Sequence, residues 1–192
     1  MTDPHPTDEE LIRHFQEGDK SSYDELVSRF KGPLFSFIYR ILGDRAFAED
    51  LLQETFLRLW VNRDSYREVA RFSTWIYTVA GNLAKTELRR QKIRRWFPIS
   101  SGSGAGENEI TIEISDPDAD PHRDLERATI LRRVDEEIRR LPLVFREVII
   151  LRDVRELTYD EISKILRIPI GTVKSRVNRG RLRLQKRLQD LL

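Results

Sequence analysis

Thr158-Tyr159-Asp160-Glu161-Ile162-Ser163-Lys164-Ile165-Leu166, then Arg167-Ile168-Pro169-Ile170-Gly171, then Thr172-Val173-Lys174-Ser175-Arg176-Val177-Asn178-Arg179-Gly180: this stretch decides how the chain folds. Thr158 and Glu161 have capping-box spacing and open a short helix over about 159–166. The Pro- and Gly-bearing run Arg167 to Gly171 is a turn, and a longer helix follows over about 171–190. On a wheel of about 100° per residue, Val173, Val177, Gly180, Leu184, Leu188 and Leu191 fall in one stripe. A capped short helix, a tight turn and a longer basic helix are the plan of a helix-turn-helix. The stripe faces inward and throws Lys174, Ser175, Asn178 and Arg179 outward near the helix start, where a recognition helix meets base edges. Arg181, Arg183, Lys186 and Arg187 continue the positive charge toward phosphates. A solvated basic helix covering a core is the bland alternative, but short polar side chains mixed with Arg suit hydrogen-bonded readout better. Gly180 costs about 1 kcal/mol relative to Ala inside a helix, so its inward position predicts close packing against the preceding helix.

Upstream, helical periodicity covers 142–153 and 123–140, with Leu141-Pro142 as the boundary and Pro at a first-turn position. From Phe97 to His122 the character changes: Ser100 to Gly106 is Gly/Ser-rich, and six acids follow with no Lys or Arg. Inside it Ile110-Thr111-Ile112-Glu113-Ile114 alternates, as a short strand or a transient extended segment would. Residues 8–96 read as helices over about 8–17, 22–31, 33–42, 46–61 and 73–95. Thr7 with Glu10, and Ser22 with Glu25, have capping-box spacing, while Gly18, Gly32-Pro33 and Gly43-Asp44 are the breaks. No convincing period-two run appears, so no sheet is expected. The expected fold is all-α: two small helical domains over 1–96 and 123–192, joined by a flexible acidic linker over 97–122.

The 192 residues suffice for one or two cores without a staple. The absence of Cys removes thiol catalysis, Cys-ligated zinc and disulfides, and fits a reducing cytoplasm. His5, His14 and His122 are scattered without ligand spacing and read as surface residues. No metal, cofactor or catalytic set is expected, and the chain does not read as an enzyme. Met1 to Pro6 is too short and polar for a signal peptide, and no apolar run approaches about 18 residues. A soluble cytoplasmic protein without membrane insertion is the expectation. The net charge of +2 hides 34% charged residues, so the information lies in local asymmetry.

Two further helices carry such asymmetry. Over 73–95, an inward stripe of Phe72, Ile76, Val79, Ala80 and Leu83 leaves Thr74, Thr78, Asn82, Lys85, Arg89 and Lys92 outward, flanked by Tyr77 and Trp96. Six bases and one acid lie between Lys85 and Arg95. Positive charge with nearby aromatics, beside the polar loop Asn62 to Arg71, is the composition that holds and stacks single-stranded bases. Trp75 reads as core, and Tyr77 and Trp96 fit either the core or the stacking face. Over 46–61, Leu52, Phe56 and Leu59 point inward, while Asp50, Gln53, Glu54, Leu57 and Val61 point out. An acid-amide face with exposed aliphatics suits protein docking as well as it suits plain solvation.

The run Ala48-Glu49-Asp50-Leu51-Leu52-Gln53-Glu54-Thr55-Phe56-Leu57-Arg58-Leu59-Trp60 resembles region 2.2 of extracytoplasmic-function (ECF) sigma factors. Phe72-Ser73-Thr74-Trp75-Ile76-Tyr77, continuing to Asn82 and the Arg-rich end, is similar to their regions 2.3 and 2.4. Leu141-Pro142 onward, through Thr158 to Ile162 and Gly171 to Arg176, resembles region 4. The likeness spans nearly the whole chain outside the linker and first residues, with the motifs in order. Gly180 where Ala would be expected, and an unusually Gly/Ser-rich acidic linker, depart from the family.

The resemblance implies that Asp50, Gln53, Glu54, Leu57 and Val61 dock on core RNA polymerase. It implies that Asn62, Arg63, Tyr77, Asn82, Lys85, Arg89 and Lys92 serve the minus-ten element of promoter DNA. Thr172, Lys174, Ser175, Asn178 and Arg179 would serve the minus-thirty-five element, with Arg152 and Arg176 as phosphate ligands. An anti-sigma protein is the implied regulator and stress response the implied setting. Two rival classes remain at this point: a helix-turn-helix regulator acting without core polymerase, and a nuclease, against which stands the lack of clustered acids or His for metal ions.

Overall fold

In the computed structural model residues 6–96 and 121–189 are described, and every regular element among them is helical. The helices are α1 (Asp8–Gln16), α2 (Lys20–Leu42), α3 (Arg45–Val61), α4 (Phe72–Trp96), α5 (Pro121–Arg140), α6 (Leu143–Ile149), α7 (Tyr159–Leu166) and α8 (Ile170–Arg187). The alternating segment Ile110–Ile114, most of the expected linker and Leu191 lie outside the described residues.

Local chemistry sets most boundaries. At the head of α1, Thr7 N–H donates to Glu10 Oε2 at 2.7 Å and Glu10 N–H donates to Thr7 Oγ1 at 3.2 Å, the reciprocal pairing that satisfies orphan donors. Gly18 and Gly43 take φ of +106° and +76° between helices, conformations that glycine adopts without a Cβ clash.

Two expectations are corrected in α2. Its cap is Asp19, which accepts from Ser21 N–H at 3.0 Å and from Ser22 Oγ at 2.6 Å, so Ser22 lies inside the helix and is buried. The helix also runs unbroken through Gly32-Pro33. Phe30, Leu34, Phe37, Ile38 and Ile41 are buried on both sides of the proline. Burying each large apolar side chain contributes about 1.5–3 kcal/mol, which outweighs the roughly 3 kcal/mol cost of an internal proline.

Helices α1–α4 enclose an aromatic-rich core in which Phe72 packs edge-on to Phe30 at 5.3 Å and to Tyr66 at 5.7 Å. Helices α5–α8 pack around Val148, Ile149, Ile150, Ile162, Val173 and Val177. Pro142 sits at the N-cap of α6, one position before the first turn. The end of α6 widens into a π-helical turn over Ile150–Val154, with Arg155 N–H bonded to Ile150 O at 3.0 Å. Gly180 packs closely as expected, but against α6 rather than the preceding α7: an added Cβ would stand 2.8 Å from Ile149 Cγ1.

The two sets of helices are seated on one another, with α7 against α4 and α5 and α6 against α2. Arg40 of α2 forks onto Asp135 of α5 at 2.9 and 3.0 Å. Arg146 of α6 donates to Ile41 O at 2.6 Å and to Leu141 O at 3.0 Å, so its charge meets the carbonyl ends of α2 and α5. Arg139 donates to Tyr39 Oη at 2.8 Å.

Candidate nucleic-acid interface

The helix-turn-helix is built by hydrogen bonds local to its turn. Thr158 and Glu161 close the second capping box, Glu161 Oε2 accepting from Thr158 N–H at 2.8 Å. Arg167 ends α7 in the left-handed region at φ +55°, and Ser163 Oγ donates to Ile168 O at 2.6 Å. Val173, Val177 and Gly180 then face inward, while Lys174, Ser175, Asn178 and Arg179 are exposed on one side of α8. Thr172 and Arg176 are half-buried on its flank.

The basic continuation of α8 is more occupied than its sequence suggests. Arg181 forks onto Asp153, with Nε 3.1 Å from Oδ2. Arg183 stacks 4.9 Å over the Phe145 ring, and Arg187 pairs with Glu137 at 3.2 Å. Arg152 is likewise held by its own unit, 4.9 Å over the Tyr159 ring and donating to Leu157 O at 2.8 Å.

Along α4 the expected face divides. Asn82, Arg89 and Lys92 are exposed and Thr78 is half-buried. Thr74, expected outward, is buried, because α7 covers the amino-terminal part of the helix. Tyr77, which fitted either the core or the stacking face, lies in the core: it is 4% exposed and packs edge-on to Phe37 at 5.2 Å. Burial pushes its hydroxyl pKa up, against the opposing pull of the Arg155 guanidinium. Trp75 stacks on Phe72 at 6.0 Å, as a core-side residue would.

Lys85 is only partly accessible, its Nζ 3.1 Å from Oε1 of Glu147 on α6. That oxygen lacks an aligned hydrogen bond, so the contact is one of charge. Burial pushes the Glu147 carboxyl pKa up, and Lys85, Arg176 and Arg146 pull it back without prevailing. Sequence reasoning passed over Glu147, although an acid inside the apolar run Leu143 to Leu151 is a visible signal.

The loop before α4 is tied to α1. Gln16 Nε2 donates to Arg63 O at 2.8 Å, and Phe72 N–H donates to Glu9 Oε1 at 2.9 Å. Arg63 lies 5.4 Å over the Phe15 ring, half-buried, while Asn62 is exposed and donates to Arg58 O at 3.1 Å. Val69 at the tip is 88% exposed, a feature missed in the sequence. On α3, Phe56 and Leu59 are buried and Leu52 half-buried, whereas Asp50, Gln53, Leu57 and Val61 are exposed, Leu57 at 59% and Val61 at 73%. Glu54 on that face pairs with Arg58 at 2.8 Å. Among the described residues no group of His, Asp or Glu is gathered to hold a metal, and no helix is long and apolar enough to cross a membrane.

Residues 26–94 match the family described as Sigma-70 region 2, and residues 131–184 match Sigma-70, region 4. The ECF RNA polymerase sigma factor SigW of Bacillus subtilis is 34% identical over 94% of this chain and 96% of its own length. The chain belongs to the ECF sigma factors of the sigma-70 family. This sigma factor is also 33% identical to the ECF RNA polymerase sigma-E factor of Escherichia coli, over 97% of the chain and 96% of that protein. In fold it resembles the sigma factor RpoE solved in complex with the anti-sigma factor NepR from Bartonella quintana. The TM-score is 0.68 at 23% identity, covering 87% of this chain and 96% of that one. It also resembles CnrH solved with the cytosolic domain of CnrY, at a TM-score of 0.65 and 19% identity over 94% and 96% of the two chains.

Proposed function

We propose that this sigma factor binds core RNA polymerase through the exposed face of α3, holds the opened minus-ten element on α4, and reads the minus-thirty-five element with α8. The carrying observation is that a single chain with ECF sigma relatives presents two separate polar, basic helix faces. These are Asn82, Arg89 and Lys92 on α4, and Lys174, Ser175, Asn178 and Arg179 on α8. In this reading residues 1–96 and 123–192 are the two promoter-binding units. No bond is made or broken by the chain. Melting follows from capture of an extruded base, at a cost of a few kcal/mol, with stacking and phosphate contacts favouring the open strand. Ser175, Asn178 and Arg179 reach base edges, while Lys174, Thr172 and Arg176 hold the backbone. The protein works in the cytoplasm, and an anti-sigma protein is its regulator.

Run-off transcription with core polymerase is the test. The native chain is expected to support promoter-specific transcripts, and Asp50→Lys with Leu57→Glu to abolish core binding at unchanged helicity. Specific promoter binding and regulation by the free chain, without any transcription on addition to core polymerase, would favour a polymerase-independent regulator instead.

A further inference from the structure

Glu9, Arg13 and Gln16 stand at i, i+4 and i+7 on α1, so they share one face of that helix. Leu11, Ile12 and Phe15 are buried beside them and fix α1 in the core. Each of the three polar residues meets the segment that joins α3 to α4. Gln16 Nε2 donates to Arg63 O at 2.8 Å and to Tyr66 O at 3.2 Å, so one amide spans the turn Arg63–Ser65. Glu9 Oε1 accepts from Phe72 N–H at 2.9 Å. Phe72 opens α4, and the first N–H groups of a helix have no partner inside it. A carboxylate 63 residues away therefore serves one of them and lies at the positive end of α4. Arg13 reaches Glu68 at 3.1 Å, but both are more than half exposed and the pair contributes little. Tyr66, 6% exposed, closes the segment on itself by donating to Ala70 O at 2.9 Å. Residues 67–69 are left exposed between the two anchors, with Val69 N–H bonded to Arg67 O at 2.7 Å in a three-residue turn.

We propose that Glu9 and Gln16 are positioning residues for strand capture: from α1 they hold the loop 62–71 and the first turn of α4 in one shape before a strand arrives, and so sharpen the choice of the unpaired base that meets the tip. This rests on the reading of α4, with the loop beside it, as the strand-binding face. A loop without these anchors would lose backbone freedom at each capture, and that entropy would oppose binding; a loop already ordered by folding carries no such cost. Order also narrows the choice of base, because a fixed tip accepts one shape where an adaptable surface re-forms around several. Glu9 and Gln16 are half-buried behind the loop and act through its backbone, without touching the strand themselves.

Holoenzyme made with the full chain carries the test. It is offered a pool of fork-junction DNAs whose single-stranded segment is randomised, and the bound molecules are sequenced. Glu9→Ala with Gln16→Ala should lose about tenfold in affinity for the DNA that the native chain selects, with the selected motif flattened at the base nearest the loop and core binding unchanged. Glu9→Gln keeps an acceptor for the Phe72 N–H and should retain the motif. Thr7→Ala removes the side-chain half of the capping box of α1 and lowers stability without touching the loop; it too should retain the motif. Should the double variant fail to fold, Gln16→Glu takes its place: the shape is kept, but an ionised carboxylate cannot donate to the two carbonyls, so the motif should flatten in the same way. A native motif bound with native affinity by the double variant, or by Gln16→Glu in its place, overturns the positioning. Equal flattening by Thr7→Ala overturns it as well, since loss of stability alone would then suffice. Asn82→Ala with Arg89→Ala separates the two readings in the same pool. If that variant loses strand binding while the α1 variants do not, only the positioning falls; if it binds as the native chain does, or if the native holoenzyme selects no motif, the proposed function falls and the positioning with it.

Discussion

Position 180 shows how far a wheel can be read. The inward stripe of α8 requires a small residue there, but the wheel gives an angle and not a partner; the partner is Ile149 of α6. Ile149 is 1% exposed, so its Cγ1 has nowhere to retreat from a Cβ at 2.8 Å. Gly180→Ala gains about 1 kcal/mol of helix propensity and meets an overpacking cost of about 1–3 kcal/mol. The expected outcome is a lower urea midpoint, with a smaller loss in an Ile149→Ala background; a higher midpoint would show that α6 and α8 separate freely. Asp19 illustrates the opposite case, a residue legible only after folding. The hydroxyls of Ser22 and Ser21 hold its carboxyl pKa down at about 2, against an ordinary value of 3.8. A depressed folded value contributes stability above the unfolded value, and that contribution is lost as pH falls from 3.8 toward about 2. The stability gap between the native chain and Asp19→Ala should therefore narrow from about pH 6 to about pH 3. A gap of constant size in urea titrations would show that Asp19 caps α2 without titrating.

At the scale of the element, caps and apolar stripes were readable because they depend on neighbours three or four residues away. Both Thr-Glu boxes that the structure closes, at Thr7 and Thr158, have that spacing. Ser22-Glu25 has it too and is no cap, since Asp19 reaches the same turn first. The continuity of α2 through Pro33, and the burial of Thr74 and Tyr77, depend on tertiary neighbours that no local pattern contains. The same distinction separates the arginines of the helix-turn-helix. Arg179 is exposed and free to reach a base, whereas Arg152 braces Tyr159 and the Leu157 carbonyl. Arg179→Ala in holoenzyme should weaken the preferred minus-thirty-five element more than scrambled DNA, by about 1–3 kcal/mol. Arg152→Ala should weaken both alike and also lower the unfolding temperature of α6–α8. Equal losses for the two sequences on Arg179→Ala would mean that α8 enters the groove in another orientation.

For the whole molecule, the sequence could not say how the two helical sets meet, because the charges that join them lie more than ninety residues apart in the chain for Arg40 and Asp135. What closes them is an equilibrium between the affinity of the two sets and their effective concentration on one chain. Two units carried on one chain meet at an effective concentration of about 1 mM. A joined state that dominates by about ten- to a hundredfold and still yields to polymerase and promoter then requires the separated sets to bind each other with a Kd of about 10 to 100 µM. That range is measurable. With a protease site placed within Ser100 to Gly106, cutting the chain leaves two fragments joined only by the seat. At about 100 nM in an analytical ultracentrifuge the cut protein should sediment as two species, each still helical, while the uncut chain remains one species. The cut protein should also lose transcription from promoters that need both elements, because the second contact is no longer intramolecular. Fragments that co-sediment at that dilution would place the Kd below about 100 nM and the closed population above about 10⁴ to 1. A seat that firm would make the two sets one rigid body, with Asp135, Glu161 and Glu147 as structural partners of Arg40, Arg71 and Lys85.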